Sequence, residues 1–136
     1  MEWKLEVVTM PVSDLDQARD FYAEKLDFNV DIDDIANDFR FLQLTPRGSG
    51  CSIHLRKASA EMPAGSIQNL FLVVADVRAA HDHLVDHGVD VGEVQVFDSG
   101  EYRPAQPGES LDLVGCAFFS DPDGNGWCVQ QILPRS

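Results

Sequence analysis

The chain has 136 residues, 44% hydrophobic and 24% charged, with a formal net charge of −13 at pH 7. That length suits one domain able to bury roughly two thirds of the surface its unfolded form exposes, so neither a disulfide nor a metal is needed for folding, and the composition is that of a globular rather than a disordered chain. The negative field repels phosphate backbones and anionic lipid surfaces, so no nucleic-acid or membrane partner is expected.

Met1-Glu2-Trp3-Lys4-Leu5-Glu6 alternates charge where a secretory signal needs an apolar stretch. The longest apolar run, Leu70 to Ala75, is too short to cross a bilayer, and the expected location is the cytoplasm. Cys51, Cys116 and Cys128 are odd in number and far apart, which predicts reduced thiols.

In chain order, Leu5 to Met10 reads as a strand that Pro11 ends, because proline cannot donate to a ladder. Asp14 followed by Gln17 resembles a capping box, and Leu15, Ala18, Tyr22 and Leu26 share one helical face, predicting a helix from Leu15 to Lys25. Strands are predicted at Phe28–Asp33, Phe39–Leu44 and Ser52–Lys57. The stretch from Ser59 to Ser66, with Pro63 and Gly65, is a connector. Leu70–Val74 is a further strand, followed by a helix that Gly88 stops. Ser99 to Ser110, rich in Gly, Pro and polar residues, is expected to be a mobile loop able to act as a lid. Cys116–Ser120 and Trp127–Leu133 are the last strands, joined by the turn signal Asp121-Pro122-Asp123-Gly124-Asn125-Gly126.

The chain says nearly the same thing twice. Val12-Ser13-Asp14-Leu15 is answered by Val74-Ala75-Asp76-Val77, each after a β-prone run and before a helical one, at an offset of 62 positions (14 to 76). Two copies of one α/β module that bury their faces against each other are the physical reading, with any ligand held between the copies. Residues 1–58 form module one, 59–66 the connector and 67–136 module two, all within a single domain of residues 1–136.

These elements, with Phe21-Tyr22 after the first Asp-Leu and the late Asp121-Pro122-Asp123-Gly124-Asn125, resemble the vicinal oxygen chelate superfamily of glyoxalases, bleomycin resistance proteins and extradiol dioxygenases. The resemblance covers essentially the whole chain. It implies an α+β fold of two tandem βαβββ modules, with curved mixed sheets enclosing a cavity and helices on the outer faces. In the members that do chemistry, a divalent metal sits in that cavity on His or Glu residues. Aligned on Asp14 and Asp76, those positions fall at Val7, His54, Asn69 and Cys128, or Gln130 if the last strand is shifted by two. Valine has no donor and Asn is a weak one, so no cofactor is expected, and a divalent metal belongs only to an alternative reading.

Strand alternation points Phe41, Gln43, His54, Arg56, Phe71, Cys128 and Gln130 to the cavity side, an aromatic surface with a few polar groups such as small-molecule pockets use. Tyr102 and Arg103 in the expected lid complete the candidate ligand-binding set. His54 stands as a pocket-wall residue, a ligand contact or an acid–base group, and is the candidate catalytic residue. His83 and His87, four apart on the second helix, read as a solvated surface between Asp82 and Asp86, and Trp127 as sheet packing.

The expected function is binding or sequestration of a drug-like or metabolite molecule without a catalytic metal. The alternative is a lyase, isomerase or dioxygenase-like enzyme that uses His54. The resemblance also implies a homodimer.

Overall fold

In the computed structural model, which describes residues 1–134, the chain divides into two units. One comprises Met1–Ile67 with Asp121–Asn125, the other Gln68–Ser120 with the chain from Gly126 on. Both are α+β.

In the first unit the Asp14 carboxylate accepts the Gln17 N–H at 3.1 Å and starts helix α1 (Leu15–Asp20), which carries on through Phe21–Lys25 with the wider π pitch. Strands β1 (Val7–Val12), β2 (Asn29–Ala36), β3 (Phe39–Thr45) and β4 (Ser52–Lys57) form a mixed sheet in the order β1-β4-β3-β2, with β1 parallel to β4. Met10, Leu42, Leu44, Ile53 and Leu55 are buried on the side where α1 packs on β4, together with Ala18, Phe21 and Tyr22. Arg40 on the same side of β3 joins Asp33 of β2 at 2.8 Å and Asp16 of α1 at 2.6 Å.

Two local features depart from the sequence reading. Pro11 does not end β1: it sits inside the strand opposite Arg56, and the strand continues to Val12. β1 is the edge of its sheet, so a residue without an N–H interrupts no second ladder, and the Pro11 carbonyl accepts the Asn125 side-chain amide at 2.9 Å. In β2 a register shift between Val30 and Ile32 moves Ile32, Asp34 and Ala36 onto the face of Gln43, Phe41 and Phe39.

The Asp121–Asn125 turn is more than a connection. The Asp121 carboxylate, 5% exposed, accepts four hydrogen bonds: from the Asp123 and Asn125 backbone N–H groups, the Asn125 amide and the Tyr22 hydroxyl, all within 2.8–2.9 Å. Asn125, fully buried, also accepts the Ile67 N–H at 3.1 Å.

In the second unit the Asp76 carboxylate caps helix α2 (Val77–Asp86) through the Ala79 N–H at 3.1 Å, and Gly88, at φ +79°, closes it as expected. Strands β5 (Leu70–Val74), β6 (Gln95–Asp98), β7 (Glu101–Pro104), β8 (Gly115–Ser120) and β9 (Gly126–Gln131) lie in the order β5-β9-β8-β6-β7, with β5 parallel to β9 and α2 packed on β8 and β9. The order β5-β9-β8-β6 repeats β1-β4-β3-β2, and β7 is an added edge strand. The expected loop over Ser99–Ser110 is therefore corrected. Its first part is a hairpin arm, turned at Ser99 (φ +53°) and Gly100 (φ +87°), the two consecutive positive φ angles of the turn that matches strand twist.

Candidate functional site

Each sheet has one face under its helix and one face open. The open face of the first unit carries Val7, Ile32, Phe39 and Phe41, which are 36–45% exposed, around Thr9, Gln43, His54 and Arg56. The His54 ring lies 4.4 Å from Phe41, tilted by 31°, and meets Phe39 edge-on at 6.4 Å. The Arg56 guanidinium stands 5.5 Å over the Phe39 ring, a cation–π contact. The fold thus gathers Phe41, Gln43, His54 and Arg56 on one face, with Gln43 beside His54 in the β3–β4 register.

His54 Nε2 is buried without a hydrogen-bond partner among the described residues. Burial, and secondarily the Arg56 charge, lowers the His54 pKa below its ordinary 6.5. The imidazole is accordingly neutral at pH 7. The unfolded chain takes up this proton more readily than the folded one, so the stability linked to His54 is full above pH 6.5 and falls below it. Imidazole resonances followed through a pH titration are expected to give His54 a midpoint below 6.5; a midpoint at or above that value would contradict the environment described.

The open face of the second unit carries Phe71 and Val73 on β5, Cys128 and Gln130 on β9, Cys116 and Phe118 on β8, Phe97 on β6 and Tyr102 on β7. Tyr102 packs against Phe97 at 5.0 Å and edge-on against Phe118 at 5.1 Å. Cys128 and Gln130 are two apart in one strand and so share this face whichever is aligned with the family position. The Gln130 amide donates to the Leu113 carbonyl at 2.8 Å. Phe97 and Phe118 lie outside the residues that the sequence reading singles out, although alternation in Gln95-Val96-Phe97-Asp98 before Ser99-Gly100 carries a hairpin signal.

Arg103 does not join its neighbour Tyr102. It is in register with the buried Val96, on the opposite face, and its guanidinium pairs with Asp98 at 3.1 Å and Glu109 at 2.6 Å. Gln106 donates its N–H to Glu109 and accepts from Arg78 through its carbonyl, so residues 98–109 are tied by ion pairs and hydrogen bonds. The Arg103 side chain, with the Gln106 N–H, holds the Glu109 pKa down to about 2 from an ordinary 4.5. A carboxyl depressed on folding contributes stability above pH 4.5 that is lost as pH falls through 2. Glu109→Gln is expected to remove that part of the acid limb of a stability–pH curve; an unchanged acid limb would refute the pairing.

The four family metal positions do not make a fitting donor set. Val7 offers no donor, Asn69 has its backbone in the left-handed region at φ +63°, and burial beside Cys116 pushes the Cys128 thiol up to about 12, far from a thiolate. Among the described residues no three His, Cys, Asp or Glu side chains gather as a metal site. The same burial argues against Cys128 as a nucleophile.

With this geometry in place, the model of the Glyoxalase/Bleomycin resistance protein/Dioxygenase superfamily matches residues 4–129. The chain belongs to that superfamily. Among superfamily structures, TnmS3, described as an antibiotic binding protein from Streptomyces sp. CB03234, is 31% identical, with a TM-score of 0.75 over 96% of this chain and 97% of its own. A glyoxalase/bleomycin resistance protein from the same Streptomyces is 32% identical, with a TM-score of 0.72 over 94% and 100%. A superfamily member from Sphaerobacter thermophilus DSM 20745 is 25% identical, with a TM-score of 0.69 over 96% and 98%. No curated protein sequence matches the chain. No helix among the described residues is long and apolar enough to cross a membrane.

Proposed function

We propose that this superfamily member binds a small, largely apolar organic molecule and holds it without a resident metal. The observation that carries the reading is the open face of the first unit, where Phe39 and Phe41 flank a neutral histidine with a buried, unpartnered Nε2. Exposed aromatic surface around one unsatisfied polar atom suits a ligand with a flat apolar body and a single hydrogen-bonding group. Phe71, Tyr102 and Gln130 give the second unit a surface of the same kind. The description of TnmS3 as an antibiotic binding protein supports the same class of ligand, a drug-like molecule.

Acid–base catalysis by His54 is the rival. Its neutral imidazole suits a proton acceptor at pH 7.

The discriminating experiment is a thermal-shift and native mass spectrometry screen of polycyclic aromatic antibiotics against untagged protein. The expected result is an unmodified one-to-one adduct, weakened by His54→Ala, with negligible divalent metal by elemental analysis. A chemically altered ligand, or stoichiometric metal that survives a mild chelator in the parent and is lost in His54→Ala, would overturn the reading. The proposed assembly is a homodimer in the cytoplasm; a sedimenting species of only 15.1 kDa at micromolar concentration would rule the dimer out.

A further inference from the structure

His83 and His87 project from consecutive turns of α2, and both are exposed. Their rings are stacked, with centroids 4.0 Å apart and planes 25° from parallel. His87 Nδ1 lies 2.8 Å from the His83 carbonyl oxygen. A carbonyl can only accept, so Nδ1 carries a proton, and in the neutral ring the lone pair is on Nε2. A ring N–H anchored on a backbone carbonyl is how metal-bound imidazoles are oriented and their tautomer fixed.

We propose that His83 and His87 form a two-point chelate for a transition-metal dication of the Cu2+, Ni2+ or Zn2+ kind, with water in the remaining positions. Histidines four apart on a helix lie on one face and can converge on a single ion, and because the rings are already adjacent, binding needs side-chain rotation and no backbone movement. His87 occupies the C-terminal cap of α2, where the last carbonyls present the negative end of the helix dipole to a cation. The net charge of −13 raises the cation concentration at the surface. Imidazole donors select Cu2+, Ni2+ and Zn2+ over Mg2+ and Ca2+, which prefer oxygen. The site lies on α2, which packs on the face of its own sheet opposite the open one, and stands independently of the small-molecule reading.

The test is a Cu2+ titration of the untagged chain by calorimetry, alongside His83→Gln and His87→Gln. Both substitutions are at exposed positions, and circular dichroism checks that the fold is kept. One equivalent is expected to bind the parent, and each substitution should weaken binding by at least about tenfold. Electron paramagnetic resonance should report two coordinated nitrogens in the parent and one in either variant. Imidazole resonances of His83 and His87 should broaden at substoichiometric Cu2+ while His54 stays sharp. Affinity unchanged in both variants, or His54 broadening first, would overturn the proposal.

Discussion

Asp121→Ala is expected to cost about 3–5 kcal/mol of folding stability, because it strips the acceptor from four buried or part-buried donors at once. Each buried donor left unpaired costs about 1–3 kcal/mol, and the small side chain leaves the Asn125 amide one of its two acceptors, the Pro11 carbonyl. Tyr22→Phe, which removes one donor and leaves the carboxylate its other three bonds, should cost only about 1 kcal/mol. Urea unfolding of the two variants measures both. A domain typically has about 5–15 kcal/mol in total, so the larger loss should be evident as a sharply lowered midpoint. If Asp121→Ala cost no more than Tyr22→Phe, the turn would be a simple connection and the buried network would contribute little.

The double substitution Phe39→Ala with Phe41→Ala is expected to do the opposite, sparing the fold and removing function. Both rings are more than a third exposed, so truncation removes little apolar surface from the core. Against a ligand each ring should contribute about 1.5 kcal/mol, and the pair therefore roughly 100-fold in affinity. Titration with the apolar fluorophore anilinonaphthalene sulfonate supplies a direct readout before the natural ligand is known. Parent-like binding of that probe by the folded double variant would take the ligand surface off the first unit.

What the sequence revealed was local. Asp14 and Asp76 cap helices three residues ahead, and Gly88 ends one at its own position, so the information lies within a single turn. The alternation that set Phe41 and His54 opposite Leu42 and Leu55 was equally legible, because one slip would bury the polar set. The failures were of two kinds. Gly and Pro density between Ser99 and Ser110 hid a hairpin whose turn needs just Ser99 and Gly100, and with the strand missed, Tyr102 and Arg103 were placed together although alternation sends them to opposite faces. The missing N–H of Pro11 predicts a strand end only for a strand paired on both sides, and β1 lies at an edge. The link from Asp121 to Tyr22 carries no local signal, since the two are 99 positions apart.

That separation sets an order of events during synthesis. The carboxylate that meets Tyr22 leaves the ribosome 99 residues after it, and the Asn125 amide that meets the Pro11 carbonyl 114 residues after that proline. At roughly 5–20 residues per second the delay is on the order of 5–20 s, long compared with hairpin or helix formation. The nascent first unit can therefore assemble its sheet early yet must wait for nearly the whole chain before its buried polar centre is complete.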